Sequence, residues 1–130
     1  MYSFTASGHK NIRATHRNTL ELTKDAALTE DGDCIIGVKA DFELKELKQF
    51  LHKEKIMITI RASGIKETLT ATPNPTFSDE HELVVRRTDF CSKRTFATRA
   101  EKSAMQLDRT IVRELKNEKT KIVIMIEEWK

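Results

Sequence analysis

The stretch Gly8-His9-Lys10-Asn11-Ile12-Arg13-Ala14-Thr15-His16-Arg17 holds three cations, two histidines and no acid. Arginines of this kind hold phosphate or carboxylate oxygens in bidentate fashion. Histidines donate, accept or shuttle protons near neutral pH. The plainer reading is a solvated strand face. It accounts for Arg13 and Arg17 but leaves His16, which parity places inward, to be explained as a hydrogen-bonded core histidine or as an acid-base group.

A second basic stretch runs from Arg86 to Lys102, with six basic and two acidic residues. Arg87 and Arg94 are its candidate ligands for an anion. Thr98 and Glu101 have capping-box spacing, so a helix is expected to begin near Arg99. An anion at that helix N-terminus, held by Arg94 with Arg87 or an arginine of the 13–17 strand, is the sharpest expectation from this region. The competing reading pairs these arginines with surface acids such as Asp89 and Glu101.

Catalysis needs a nucleophile or acid-base group and an orienting partner. By residue type the candidates are His16, Asp33, Cys34 and Asp89. Asp25, Glu30, Asp31 and Asp33 lie in one polar segment without the spacing of a calcium loop. Zinc held by His9, His16 and Cys34 has no spacing motif behind it, so no metal and no cofactor is expected. The P-loop, dinucleotide, zincin and nucleophile-elbow motifs are all missing.

These residues must be positioned by strands and two helices. Residues 12–23 alternate, with Ile12, Ala14, His16, Asn18, Leu20 and Leu22 on one face, and predict a long strand. Asp31-Gly32 predicts a turn into a buried strand, Cys34 to Val38. Asp41 is a plausible N-cap for a helix to about His52, buried through Leu44, Leu47 and Leu51. Ile56 to Ala62, a Ser63-Gly64 turn and a strand to about Thr72 predict a hairpin. Leu83 to Val85 and Ile122 to Ile126 predict two more strands. Ala100, Ala104, Leu107, Ile111 and Leu115 form the stripe of the second helix, which Asn117 stops. Asp108 and Arg109 lie off that stripe, facing solvent or a site between helix and sheet.

Strands outnumber helices and often follow one another directly, which excludes a doubly wound α/β fold. The expected class is α+β: a strongly bent mixed or antiparallel sheet, or a partly open β-barrel, with two helices. The 130 residues show no composition break and read as a single domain, 1–130. Hydrophobic residues make up 38%, ample for a core, while 33% are charged, a dense ionic surface. A net charge of +3 gives no domain-wide basic field, so nucleic-acid binding would need local clustering. No signal peptide and no apolar run long enough to span a membrane is seen. With two unpaired cysteines, Cys34 and Cys91, the reading is a cytoplasmic protein of a reducing compartment.

The motifs Gly8-His9-x-Asn11-Ile12-Arg13-Ala14-Thr15-His16-Arg17, Gly32-Asp33-Cys34-Ile35-Ile36-Gly37-Val38 and Arg94-Thr95 resemble an archaeal family of about this length, catalogued as a domain of unknown function. The resemblance covers nearly the whole chain. It implies an archaeal cytoplasmic protein and admits a homodimer, but it supplies no activity and no functional residue. Three functions therefore stand open. The first is a binding module for a phosphorylated metabolite, nucleotide or RNA, using His9, Arg13, Arg17, Arg87 and Arg94. The second is a small enzyme with His16 as acid or base. The third is a dimeric structural protein.

Overall fold

A computed structural model describes all residues, 1–130. Eight strands form one mixed sheet: β1 (Tyr2–Ser7), β2 (Thr19–Thr23), β3 (Ile35–Gly37), β4 (Ile56–Ala62), β5 (Ile65–Pro73), β6 (Glu82–Arg86), β7 (Thr95–Thr98) and β8 (Lys121–Glu128). Two short α-helices join them, α1 (Leu44–Leu47) and α2 (Arg109–Leu115). The spatial order is β1-β8-β4-β5-β7-β6-β2-β3. Pairing is antiparallel except for β2 with β3 and β6 with β7. This is an α+β fold with a bent, open sheet. No helix is long and apolar enough to cross a membrane.

The β1-β8-β4-β5 half follows from strict alternation. Ile122, Ile124 and Ile126 of β8 lie opposite Ala62, Ile60 and Ile58 of β4, and Phe4 of β1 lies opposite Ile124. All are buried. Each fully buried aliphatic side chain contributes about 1.5–3 kcal/mol. The β4–β5 hairpin turns through Ser63 and Gly64, whose φ angles of 51° and 79° suit a two-residue turn with both residues left-handed. From β5 the sheet continues through only two residue pairs, Thr72 with Thr98 and Pro73 with Ala97.

The two edges of the sheet meet without forming a ladder. Ser7 and Val38 exchange backbone hydrogen bonds at 2.7 and 2.9 Å, one isolated bridge between β1 and the chain leaving β3. Asp41 reinforces it. Its carboxylate accepts from the Thr5 amide at 2.7 Å and the Thr5 hydroxyl at 2.8 Å. Asp41 therefore does not cap α1, which starts at Leu44 and tightens into a 3-10 turn at Lys48–Phe50.

Two sequence expectations are corrected. Residues 12–18 are not strand, and β2 begins only at Thr19. Ile12 and Ala14 are buried as expected, but Ala14 has φ 52°, in the left-handed region, which breaks the alternation there. The amides of Thr15 and His16 both donate to the Asp33 carbonyl instead of to a ladder. The second helix starts at Arg109, ten residues after the expected site. Thr95–Thr98 is occupied as strand β7, and the capping box that forms is Ser103 with Gln106, at the head of a 3-10 turn, Ala104–Gln106. β1 and β7 are the two strands not anticipated.

One polar cluster is built into the face of β2 and β6 away from the main core. Glu21 is only 3% exposed. Burial, then a hydrogen bond to Glu82, pushes its carboxyl up to about 8, so neutral Glu21 shares its proton with Glu82. Glu82, held below the usual range first by that same bond, takes the Arg94 guanidinium at 2.8 Å; Glu21 lies 3.9 Å from it. The Cys34 thiol donates to Glu21 at 3.6 Å.

The cluster makes stability fall with rising pH. Glu21 has a folded value raised above its unfolded one, so its contribution is complete below about 4.5 and lost as pH rises through about 8. The thermal midpoint is expected to drop between about pH 5 and pH 8.5, and Glu21→Gln to flatten the slope. A wild-type midpoint that is level or rising over that window contradicts this linkage. Packing gives a second prediction. A Cβ on Gly8 would stand 2.1 Å from the Asn117 carbonyl oxygen and 2.5 Å from that of Leu115, both backbone atoms. Gly8→Ala should cost at least about 2 kcal/mol in urea unfolding, and a loss under about 0.5 kcal/mol would contradict the close approach.

Candidate anion cleft

The loop between β1 and β2 lies against α2, and a cleft of about 330 Å³ opens between them, lined by Arg13, Thr15, Arg109, Val112, Arg113 and Lys116. Four of the six carry positive charge and none is acidic. Arg109, Val112 and Arg113 of α2 and its C-cap Lys116 fall at i, i+3, i+4 and i+7, one face of the helix. The apolar face, Ile111, Val112 and Leu115, is buried against the sheet, which fixes the helix's rotation and leaves this cationic row at the seam.

Arg109 organises the seam. Its Nη1 donates to the Ala14 carbonyl at 3.0 Å, and its Nη2 donates to the carbonyls of Ala104, Met105 and Leu107 at 2.9–3.0 Å. Its Nε also reaches Leu107, at 3.2 Å. All three guanidinium nitrogens therefore donate to backbone carbonyls. The bond to Ala14 holds the left-handed residue between Arg13 and Thr15. Ser103 adds a second tie, its hydroxyl lying 2.9 and 2.6 Å from the carbonyls of His16 and Arg17.

Arg13, Arg113 and Lys116 differ from Arg109. All three are exposed, and none takes part in an ion pair or a side-chain hydrogen bond. Like charges gathered with no carboxylate in the lining repel one another, and an anion entering the cleft relieves that repulsion.

The other sequence candidates fall elsewhere. Arg94 does not precede the second helix. It is engaged by Glu82 and Glu21, and the helix N-terminus is closed by the Asp108 carboxylate, which accepts from the Thr110 amide at 2.7 Å. An anion there would meet a carboxylate. Arg87 and Arg17 are exposed and line neither cavity, although the Arg87 amide donates to the Asn18 carbonyl and so brings the two basic segments into backbone contact. His9 lines a smaller cavity, about 140 Å³, with Gly8, Ala26, Val38, Lys39 and Glu118. Its Nδ1 accepts from the Asn11 amide at 3.0 Å.

The catalytic candidates are not gathered into a cavity. His16 is half-buried, and its Nδ1 accepts from the amides of Asn18 and Thr19 at 3.1 and 3.0 Å. That lone pair is engaged, which places the proton of a neutral ring on Nε2. Asp33 meets the loop through its backbone carbonyl. Burial, then the Glu21 charge, pushes the Cys34 thiol up to about 12, so it stays protonated at neutral pH and is a poor nucleophile. Asp89 pairs with Arg99 at 2.6 Å on the surface.

Arg13 and Arg109, both expected from the sequence to be available to a site, line the cleft; Thr15, Arg113 and Lys116 were not anticipated as their partners. The signal was the i, i+4, i+7 spacing of Arg109, Arg113 and Lys116 beside the apolar stripe.

An uncharacterized protein of Methanocaldococcus jannaschii, MJ0206, is 38% identical over 128 residues, which cover 93% of this chain and 95% of that protein. The family model described as a domain of unknown function, DUF371, matches residues 4–128. With nearly the whole fold, cleft included, inside that match, the chain belongs to the DUF371 family.

Proposed function

We propose that this protein is a binding module for a phosphorylated ligand, seated in the cleft between the β1–β2 loop and α2. The observation that carries this reading is the set of three uncompensated cations, Arg13, Arg113 and Lys116, converging on one cavity whose lining has no acid. Elsewhere Arg94, Arg99 and Lys102 pair with Glu82, Asp89 and Glu67, whereas the cleft lining offers its cations no acid.

The ligand is held by charge-assisted hydrogen bonds. One exposed pair contributes only about 0–1 kcal/mol, so affinity depends on several donors acting together in a shaped cleft. Arg13 and Arg113 supply forked donors from opposite walls, Lys116 a mobile ammonium, and Thr15 a hydroxyl. Arg109 is the positioning residue. With most of its donors spent on the backbone, it fixes the distance between the walls before any ligand arrives, and preorganisation of this kind reduces the ordering cost of binding.

The test is a backbone amide titration by NMR with nucleotides and phosphorylated sugars. Shifts are expected at residues 13–15 and 109–116. Arg113→Ala should weaken binding about tenfold, close to 1.4 kcal/mol, while Arg61→Ala on the exposed face of β4 leaves it unchanged. Absence of any shift at about 10 mM ligand, or shifts centred on Arg87 and Arg94, would remove this reading.

A further inference from the structure

Resting on the reading of the cleft as an anion site, we infer that its ligand carries a diphosphate group and is recognised through the two phosphoryl groups alone. The first ground is span. Arg109 and Lys116 are seven residues apart on one face of α2, which is about 10 Å along the axis at about 1.5 Å per residue. Arg113 lies between them and Arg13 faces them from the loop. A single phosphoryl group meets the donors at one end of this row and leaves Lys116 unmatched. A diphosphate meets Arg13, beside the Arg109 charge, with one group and Arg113 and Lys116 with the other.

Charge is the second ground. Arg13, Arg109, Arg113 and Lys116 bring four positive charges with no carboxylate partner, and α2 ends at Leu115, so its negative pole offsets part of those nearest the C-terminus. A diphosphate, with two to three negative charges at neutral pH, balances most of the remainder. Orthophosphate, with fewer, does not.

The lining is the third. Its single apolar residue is Val112, and it contains no aromatic ring. A nucleobase draws affinity from stacking on aromatic faces or from a hydrophobic slot. Neither exists here, so the organic part of the ligand extends into solvent and contributes little.

Calorimetric titrations without divalent cations, at constant ionic strength, with orthophosphate, pyrophosphate, AMP, ADP and a short single-stranded RNA, test this. Pyrophosphate and ADP should bind within about threefold of each other, and orthophosphate and AMP at least tenfold more weakly. Lys116→Ala, an exposed position that leaves the fold intact, should weaken pyrophosphate about tenfold and orthophosphate less than twofold. Orthophosphate binding as well as pyrophosphate, with dependence on Arg113 kept, would overturn the diphosphate assignment and leave the anion cleft standing. So would ADP binding tenfold better than pyrophosphate, or the RNA binding best with a steep salt slope. No binding by any of the five would remove both.

Discussion

The guanidinium of Arg109 is the contact on which the candidate site depends. It donates to backbone carbonyls from two separate stretches, Ala14 on the loop after β1 and Ala104, Met105 and Leu107 ahead of α2. A hydrogen bond from a charged donor contributes about 1.5–3 kcal/mol, and a left-handed alanine costs about 1–2, so the clamp is of the size needed to hold Ala14 in place. Without it the loop has little reason to keep φ at 52°. Arg13 and Thr15 sit on either side of that residue, and their place above α2 follows from it. Lysine could not substitute, because a point charge with three donors cannot span carbonyls arranged around a planar fork.

The sheet explains why such a clamp is needed. Its two edges approach but join only at Ser7 and Val38, with Asp41 bonded to Thr5 beside them. Around this unzipped seam the chain leaves β1 and enters an irregular path before β2. The backbone groups of that path find partners one at a time: the Asp33 carbonyl, the Ser103 hydroxyl, the Arg109 guanidinium and the His16 ring.

Strong alternation made the β4–β5 hairpin and β8 legible in the sequence, because isoleucines every second residue fix which face is buried. The same rule misled over residues 12–18, where Ile12, Ala14 and His16 mimic a strand face while Ala14 turns the chain. Alternation reports burial, and burial was right for Ile12 and Ala14; it does not report φ. The second helix was displaced because Thr98 and Glu101 have capping-box spacing but Thr95–Thr98 pairs with β5 and β6, a long-range demand that local spacing does not reveal. That displacement put Arg94 at a helix terminus, when its real partners are Glu82 and the buried Glu21.

Hydrogen exchange in Arg109→Lys tests the central claim most directly. If the guanidinium holds the loop, the amides of Thr15 and His16, bonded to Asp33, and of Met105, bonded to His16, should exchange at least about tenfold faster than in the wild type. Amides in the β4–β5 and β4–β8 ladders should be unchanged, since none of their bonds involves the clamp. Unaltered exchange at residues 15, 16 and 105 would contradict the account, and the cleft's shape would then owe nothing to Arg109.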